Sequence, residues 1–297
     1  MHFDGSDPHA RPFLKWAGGK RSLLPDIYKR IPDFTGTYIE PFMGAGASLL
    51  SIPVRVPRIG NDFNPELIEV YVAIRDSLHE LVEELSKHKY EKDYYYEVRD
   101  WDRTSSYANL TAAQRAARFI YLNKSCYNGL YRVNSKGQFN VPFGKQGNPK
   151  IHNLEHLERI SQILNGLNAD GNKVGNPVTL ESGDYKEVTS LATPQDFVYL
   201  DPPYDPLTAS SSFVSYHKEG FSSVNQIELR DELIRLTLLG VPILMSNSDT
   251  KFIQKIYRTP KLFKIEKVQV RRSVGAKPSS RGMISEVLVS NFESIKG

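Results

Sequence analysis

TYIEPFMGAGASLL, residues 37–50, passes from a short apolar run through a glycine-rich turn into a pair of leucines. Tyr38 and Ile39 favour a strand, because aromatic and β-branched side chains fit a pleated, half-buried surface. Gly44 and Gly46 let the backbone after that strand approach a ligand, since glycine has no Cβ to clash. Leu49 and Leu50 suggest a short helix. A second strand, from Arg58 to Asn61, ends at Asp62, and Asn64-Pro65 opens the next helix. Strand, glycine-rich loop, helix, strand and acidic residue form the opening of a nucleotide-binding α/β sheet.

The glycine spacing bears on the ligand. Dinucleotide sites use G-x-G-x-x-G with the pyrophosphate at a helix N-terminus. Gly44-Ala-Gly46 lacks the third glycine, which suits a nucleoside without pyrophosphate. Asp62 can accept hydrogen bonds from two ribose hydroxyls. Taken alone, the same residues also fit a tight turn and a helix cap.

Outward from this stretch, PFLKWAGGKRSLLPDIYKRI (12–31) places a Gly-Gly loop before an amphipathic run with Leu23, Leu24, Ile27, Tyr28 and Ile31 at helical spacing. Residues 65–174 differ in character. LIEVYVAIRDSLHELVEELSKH (67–88) is helical in pattern, and Thr111 with Gln114 makes a capping box for a helix through Asn123. LYRVNSKGQFNVPFG (130–144) reads as a β-hairpin turning at Asn134-Ser-Lys-Gly137. Strand patterns return at 178–182, 197–200 and 242–247, with a helix over Ile227 to Leu239. Residues 262–270 and 284–292 suggest two strands paired across a basic loop, 271–282. The parse is an α/β domain interrupted by a helical insertion.

LDPPYDP (200–206) carries the chemistry. It follows a buried-type strand, so Asp201 lies where the carboxyl edge of a sheet opens and ligands bind. Two successive prolines donate no backbone hydrogen bond and hold the chain extended. The Asp201 carboxylate and the Pro202 carbonyl thus offer two acceptors to one exocyclic amine. Tyr204 can stack on a base, and Phe213 or Tyr216 can cover the other face.

With these in place, KWAGGK (15–20), EPFMGAGA (40–47), ND (61–62), YNGLYRVN (127–134), FNVPFG (139–144), LDPPY (200–204) and SNS (246–248) closely resemble the Dam-like, D12 class of DNA adenine-N6 methyltransferases. The resemblance runs from about residue 11 to residue 292 in the family's motif order, and is greatest to the GATC-modifying members. It implies a Rossmann-like, S-adenosylmethionine-dependent sheet with an inserted helical and β-hairpin target-recognition domain. The catalytic domain would be discontinuous, over 11–64 and 175–297, with 65–174 reading DNA and 1–10 disordered. S-adenosylmethionine would be held by Trp16, Lys20, Phe42, Gly44, Gly46, Asp62, Asp184, Tyr185 and Asp201, and catalysis would use Asp201, Pro202 and Tyr204. Double-stranded DNA would be met by Lys15, Tyr127, Asn128, Leu130, Arg132, Asn134, Pro142 and Lys145. Tyr127 would press into the base stack, Asn128 and Lys145 would hold phosphates, and Leu130, Arg132 and Pro142 would read bases. A two-stranded ribbon fits the major groove, and arginine is suited to bidentate contact with guanine. Cytosine-N4 enzymes of similar chemistry usually carry Ser where Asp201 stands, and glutamine-modifying enzymes Asn.

Composition sets looser bounds. The chain has 297 residues, a net charge of +4 and one cysteine, Cys126. A nucleic-acid partner is allowed, an intrachain disulfide is not, and a reducing, cytoplasmic setting is expected. No apolar run approaches the roughly 18 residues of a membrane span, and the first twelve residues lack the apolar core of a signal peptide. No obligatory protein partner is implied, and pairing with a restriction endonuclease is left open. His152-Asn-Leu-Glu-His156 fits a zinc-protease pattern without a third ligand, so no metal is expected. Tyr94-Tyr95-Tyr96 is read as helix packing. Arg271, Arg272, Lys277 and Arg281 suit either phosphate contact or a solvated hairpin end.

Overall fold

The structure, a computed structural model, describes residues 11–16, 18, 22–145, 149–151, 153–206, 221–259, 261–271 and 283–293. In chain order the first half contains α1 (Leu24–Tyr28), β1 (Tyr38–Glu40), β2 (Arg58–Asp62), α2 (Pro65–Asp76), α3 (Leu78–Ser86), α4 (Lys92–Arg99) and α5 (Ala112–Ser125). The second half contains α6 (Leu154–Leu164), β3 (Thr179–Ser182), α7 (Tyr185–Thr189), β4 (Phe197–Leu200), α8 (Ser223–Leu238), β5 (Ile243–Ser248), α9 (Lys251–Tyr257), β6 (Lys264–Arg271) and β7 (Met283–Ser290). This is the mixed α/β architecture that the sequence implies.

The chain divides into two compact units. Of the described residues, the first holds 22–42, 184–206, 221–259, 261–271 and 283–293, and the second holds 11–16, 18, 43–145, 149–151 and 153–183. In the first unit, β4 pairs in parallel with β1 (Ile39↔Val198) and with β5 (Leu200↔Met245). β7 runs antiparallel to β5 (Asn247↔Val287) and to β6 (Val268↔Glu286). Every residue of β4 and β5 is buried, which explains why FVYL and ILMSNS do not alternate in polarity. α8 starts at a Ser222–Asn225 capping box, four residues before the expected Ile227, and buries Leu229, Leu233 and Leu236. The Ser222 box uses Asn in place of the usual Glu or Gln at its fourth position.

In the second unit β2 and β3 form a parallel pair, with Asp62 opposite Ser182. Asn64 caps α2 by accepting from Glu66 N (3.1 Å) and Leu67 N (3.3 Å). The helical run 67–88 is broken at Ser77, whose φ of −144° ends α2 before α3 begins. Thr111 and Gln114 form the expected box, and α5 continues to Ser125. The 130–144 segment turns at Asn134–Gly137 as expected, but its strands reduce to isolated bridges, Val133↔Phe139 and, from outside the segment, Cys126↔Phe143. Side chains do the work of the missing ladder. Tyr95 Oη donates to Val141 O (2.9 Å), and Asp102 accepts from Phe139 N (2.8 Å) while pairing with buried Arg118 (2.8 Å). Tyr95, Val98, Tyr121, Leu122, Cys126, Phe139 and Val141 form the core beneath, where burial pushes the Cys126 thiol up to about 12.

Half-buried His88 belongs to the same packing. Its ring stacks on Tyr121 (4.5 Å, 14°), its Nδ1 shares a hydrogen bond with Tyr94 Oη (3.0 Å), and burial pushes its pKa down to about 4. The unfolded chain then takes up the proton first as pH falls, so the stability present above about pH 6.5 is lost between that pH and about 4. His88→Phe should remove this share. The wild-type-minus-variant difference in urea unfolding free energy should fall by about 1–2 kcal/mol between about pH 7 and pH 4, allowing for solvent screening. A flat difference would show that His88 carries none of the acid sensitivity.

Candidate active site

The glycine-rich turn is built in the second unit. Met43 N donates to Asn61 O (2.8 Å) and Gly46 N to Met43 O (2.8 Å), so the loop folds back over β2. Gly44 and Gly46 have φ of 49° and 65°, the left-handed region that a side chain makes costly. Asp62, at the carboxyl end of β2, accepts from Gly44 N through Oδ2 and from Asn64 N through Oδ1, both at 2.9 Å. A carboxylate offers about four lone-pair sites, so two amides orient it without exhausting it. A Cβ on Gly44 would lie 3.2 Å from Trp16 Cδ1. The Trp16 ring in turn packs against Phe119 (6.1 Å) and Tyr131 (5.5 Å). Phe63, 61% exposed beside Asp62, is an aromatic surface that the sequence reading missed. A lone phenylalanine after an acidic strand end carries no periodicity signal. Lys20 lies outside the described residues.

In the first unit, Phe42 lies 5.1 Å from Tyr185 and 6.0 Å from Phe221. Asp184 caps α7 by accepting from Lys186 N (2.8 Å). The buried Tyr185 Oη has no hydrogen-bond partner among the described residues, and burial raises its pKa.

Asp201 follows β4 directly. Ser246 Oγ, fully buried on β5, donates to Asp201 Oδ1 (2.8 Å) and lies 3.1 Å from Tyr199 Oη. Tyr204 Oη donates to Glu286 Oε2 (2.7 Å) on β7. Burial, with Asp201 nearby, holds the Tyr199 and Tyr204 phenols well above their usual pKa, so both stay neutral donors. Ser246 is the first residue of the SNS motif; Glu286 had no sequence signal, because its pairing with Tyr204 spans 82 positions. Phe213 and Tyr216 lie outside the described residues.

The 127–145 segment belongs to the second unit. Tyr127 is 53% exposed, and its N–H donates to Pro142 O (2.9 Å). Asn128 has φ of 54°, the one non-glycine with positive φ among the described residues. Such a conformation on an exposed polar residue is a strained arrangement that clusters at functional sites. A Cβ on Gly129 would collide with the Lys15 side chain. Buried Asn123 holds that pair together: its Oδ1 accepts from Lys15 N (2.9 Å) and its Nδ2 donates to Lys15 O (2.7 Å) and Gly129 O (3.2 Å). Beside them Lys124 donates to Phe13 O, and burial with Lys15 close by pushes its ammonium down to about 8. Exposed Arg132 donates from Nε to Asn140 Oδ1 (2.6 Å), while Asn134 Oδ1 closes the turn by accepting from Lys136 N (2.9 Å) and Gln138 N (3.0 Å). Leu130 is half-buried, and Pro142 and Lys145 are exposed.

The remaining motifs resolve differently. His156 shares a hydrogen bond with Arg11 O (2.9 Å), and His152 lies outside the described residues. No group of three metal-ligating side chains occurs among the described residues. Tyr94, Tyr95 and Tyr96 pack within the second unit's aromatic core. Arg271 ends β6, and Arg272, Lys277 and Arg281 lie outside the described residues. No described helix is long and apolar enough to cross a membrane.

The sequence pattern of the family described as D12 class N6 adenine-specific DNA methyltransferase matches residues 16–274. The chain is 42% identical to the Type II methyltransferase M1.LlaDCHI of Lactococcus lactis subsp. cremoris, over 95% of each chain. It is 37% identical to the Type II methyltransferase M.MjaIII of Methanocaldococcus jannaschii, over 95% of this chain and 99% of that one. It is 32% identical to the DNA adenine methylase of Escherichia coli K12, over 94% of each.

Proposed function

Because the chain belongs to the D12 class of N6 adenine-specific DNA methyltransferases, we propose that it methylates an adenine flipped out of double-stranded DNA, within the sequence GATC. The observation that carries the reading is Asp201, set at the carboxyl end of a buried parallel strand and oriented by the hydroxyl of Ser246. S-adenosylmethionine, the donor of this family, supplies a methyl group on a sulfonium. The residues fit its nucleoside. Asp62 presents an oriented carboxylate for the ribose hydroxyls, Gly44 and Gly46 give the turn its left-handed backbone beside that carboxylate, and Phe63 offers a ring face for the adenine. Trp16, Lys20, Phe42, Asp184, Tyr185 and Asp201 complete the proposed set.

An adenine amine is a poor nucleophile, because its lone pair is delocalised into the ring. Asp201 and the Pro202 carbonyl would accept hydrogen bonds from its two N–H groups, favouring rehybridisation of the nitrogen as its new bond forms. Asp201 need not be a strong base, since the nitrogen becomes acidic only as it gains charge. Tyr204, held by Glu286, would pack on the base. Unstacking the target costs roughly a few kcal/mol, which phosphate and base contacts must offset.

Those contacts are assigned to the 65–174 region. Asn128 and Lys145 would hold phosphates, Tyr127 would press into the stack, Leu130, Arg132 and Pro142 would read the bases with Asn134 in the same DNA-binding segment, and Lys15, outside that region, would add a base or phosphate contact. The resemblance to GATC-modifying members supports the target sequence, the Type II methyltransferase names of two relatives support pairing with a restriction endonuclease, and cytoplasmic action goes with a DNA substrate. The test is plasmid methylation followed by digestion with GATC endonucleases of differing methyl sensitivity. Unchanged digestion with methyl incorporated elsewhere would refute GATC and leave the chemistry standing; incorporation into RNA alone would refute the DNA substrate. Arg132→Ala should lower kcat/KM on the preferred site by about 5–150-fold, the roughly 1–3 kcal/mol of one bidentate base contact. It should also narrow the gap to sites changed at one position. Equal loss on all sites would make Arg132 a phosphate contact.

A further inference from the structure

The loop after β4 has few backbone handles. Pro202, Pro203 and Pro206 carry no N–H, so residues 201–206 cannot be fixed by ladder bonds of the kind that hold β4. Three handles near its far end are taken by side chains. Gln226 Nε2, on α8, donates to Pro203 O (2.8 Å). Asp205 N donates to Asn247 Oδ1 (3.2 Å), and Ser248 Oγ donates to Asp205 O (2.6 Å). Asn247 Nδ2 then donates to Gln226 Oε1 (3.1 Å), joining the two amides.

The directions of these bonds are forced. Asn247 Oδ1 accepts from the backbone amides of Asp205 and of Ser248 (2.8 Å), so its nitrogen must face Gln226. Gln226 must therefore turn its oxygen to Asn247 and its nitrogen to the Pro203 carbonyl. Gln226 and Asn247 are fully buried. A buried amide is costly unless every polar atom is engaged, and Gln226 stands on the helix face that otherwise buries Leu229, Leu233 and Leu236. Packing alone is served there by leucine.

We infer that Gln226 is a positioning residue for methyl transfer. Through the Pro203 carbonyl and Asn247 it sets the direction of the Asp-Pro-Pro-Tyr backbone, and so of the two acceptors that meet the amine. The inference rests on the reading of Asp201 and Pro202 as those acceptors.

The test compares Gln226→Ala, Gln226→Glu and Asp201→Ala in steady-state methylation of a duplex, with cofactor affinity and melting temperature measured at each pH. Misplacement by an ångström can cost about 10²-fold in rate, so Gln226→Ala should lose about 10–100-fold in kcat with KM for DNA nearly unchanged. Gln226→Glu is the deciding variant. As a carboxylate it has no proton for the Pro203 carbonyl; as a neutral acid it donates through O–H and still accepts from Asn247. Burial raises a carboxyl pKa, so its kcat relative to wild type should rise at least about fivefold as pH falls from about 8.5 to 6. A ratio flat with pH, a ratio that only follows the folded fraction, or wild-type kcat in Gln226→Ala would overturn the inference. Turnover by Asp201→Ala would instead remove the acceptor reading beneath it.

Discussion

Asp201→Ala is expected to lower methyl transfer by at least about 10²–10³-fold, the scale on which removing a preorganised hydrogen-bonding group acts, while duplex binding changes little. Asp201 is part of a chain of buried hydroxyls, from Tyr199 through Ser246 to its own Oδ1, which fixes the carboxylate against β5. Truncation leaves the Ser246 hydroxyl without its acceptor, a structural cost of about 1–3 kcal/mol, so melting must be followed alongside activity. Asp201→Asn keeps the shape and separates the two effects. Its amide presents one acceptor: if the oxygen keeps Ser246, the NH2 meets the substrate amine donor-to-donor, and if the oxygen turns to the amine, the Ser246 hydroxyl must swing to accept from the NH2 and donate to Tyr199 Oη, breaking the native chain. It should fold like wild type and still lose most of its rate. Incorporation of tritiated methyl groups measures turnover, and a fluorescent duplex measures binding. Near-wild-type turnover in either variant would sink the assignment of Asp201.

The parts legible in the sequence were those fixed by local pattern. Thr111 with Gln114, Asn64 before Pro65, and the uninterrupted apolar run of β4 each act within a few residues, and each formed as the spacing predicts. α8 begins four residues before the periodicity predicts because its cap uses Asn225, and the apolar spacing of the 67–88 run carries no sign of the break at Ser77. The 130–144 segment reads as a regular hairpin because Asn134–Gly137 marks a turn between two runs of strand-forming residues. It holds its shape through Tyr95 and Asp102 instead, partners that only the tertiary packing supplies. The same limit applies at the site. Asp62 and Asp201 stand at ends of strands and Gly44 in the turn after β1, places that local pattern marks. Glu286, Gln226 and Asn123 act across 82, 23 and 108 positions, and no spacing rule reaches that far.

Asp62→Ala is expected to weaken S-adenosylmethionine binding by about 10²-fold or more while sparing kcat at saturating cofactor. The carboxylate has two tasks in the second unit. It organises the turn, since Gly44 N and Asn64 N each donate to one of its oxygens at 2.9 Å, and it is proposed to accept the ribose hydroxyls. Hydrogen bonds to a charged group contribute about 1.5–3 kcal/mol each; losing two of them removes at least about 3 kcal/mol, or roughly two powers of ten in Kd. Asn64 also caps α2, so a stability loss of about 1 kcal/mol should accompany the change. Asp62→Asn distinguishes the tasks. One amide oxygen can hold Gly44 or Asn64 but not both in the native manner, and the NH2 opposes the amide that remains. Titration calorimetry with the cofactor should rank wild type well above Asn, and Asn at or above Ala. The proposal places Asp62 on the ribose and not on the reacting amine, so kcat at saturation should stay within a few-fold of wild type. A Kd within threefold of wild type in Asp62→Ala would remove the ribose assignment, and a collapse of kcat at saturating cofactor would place Asp62 in the chemical step.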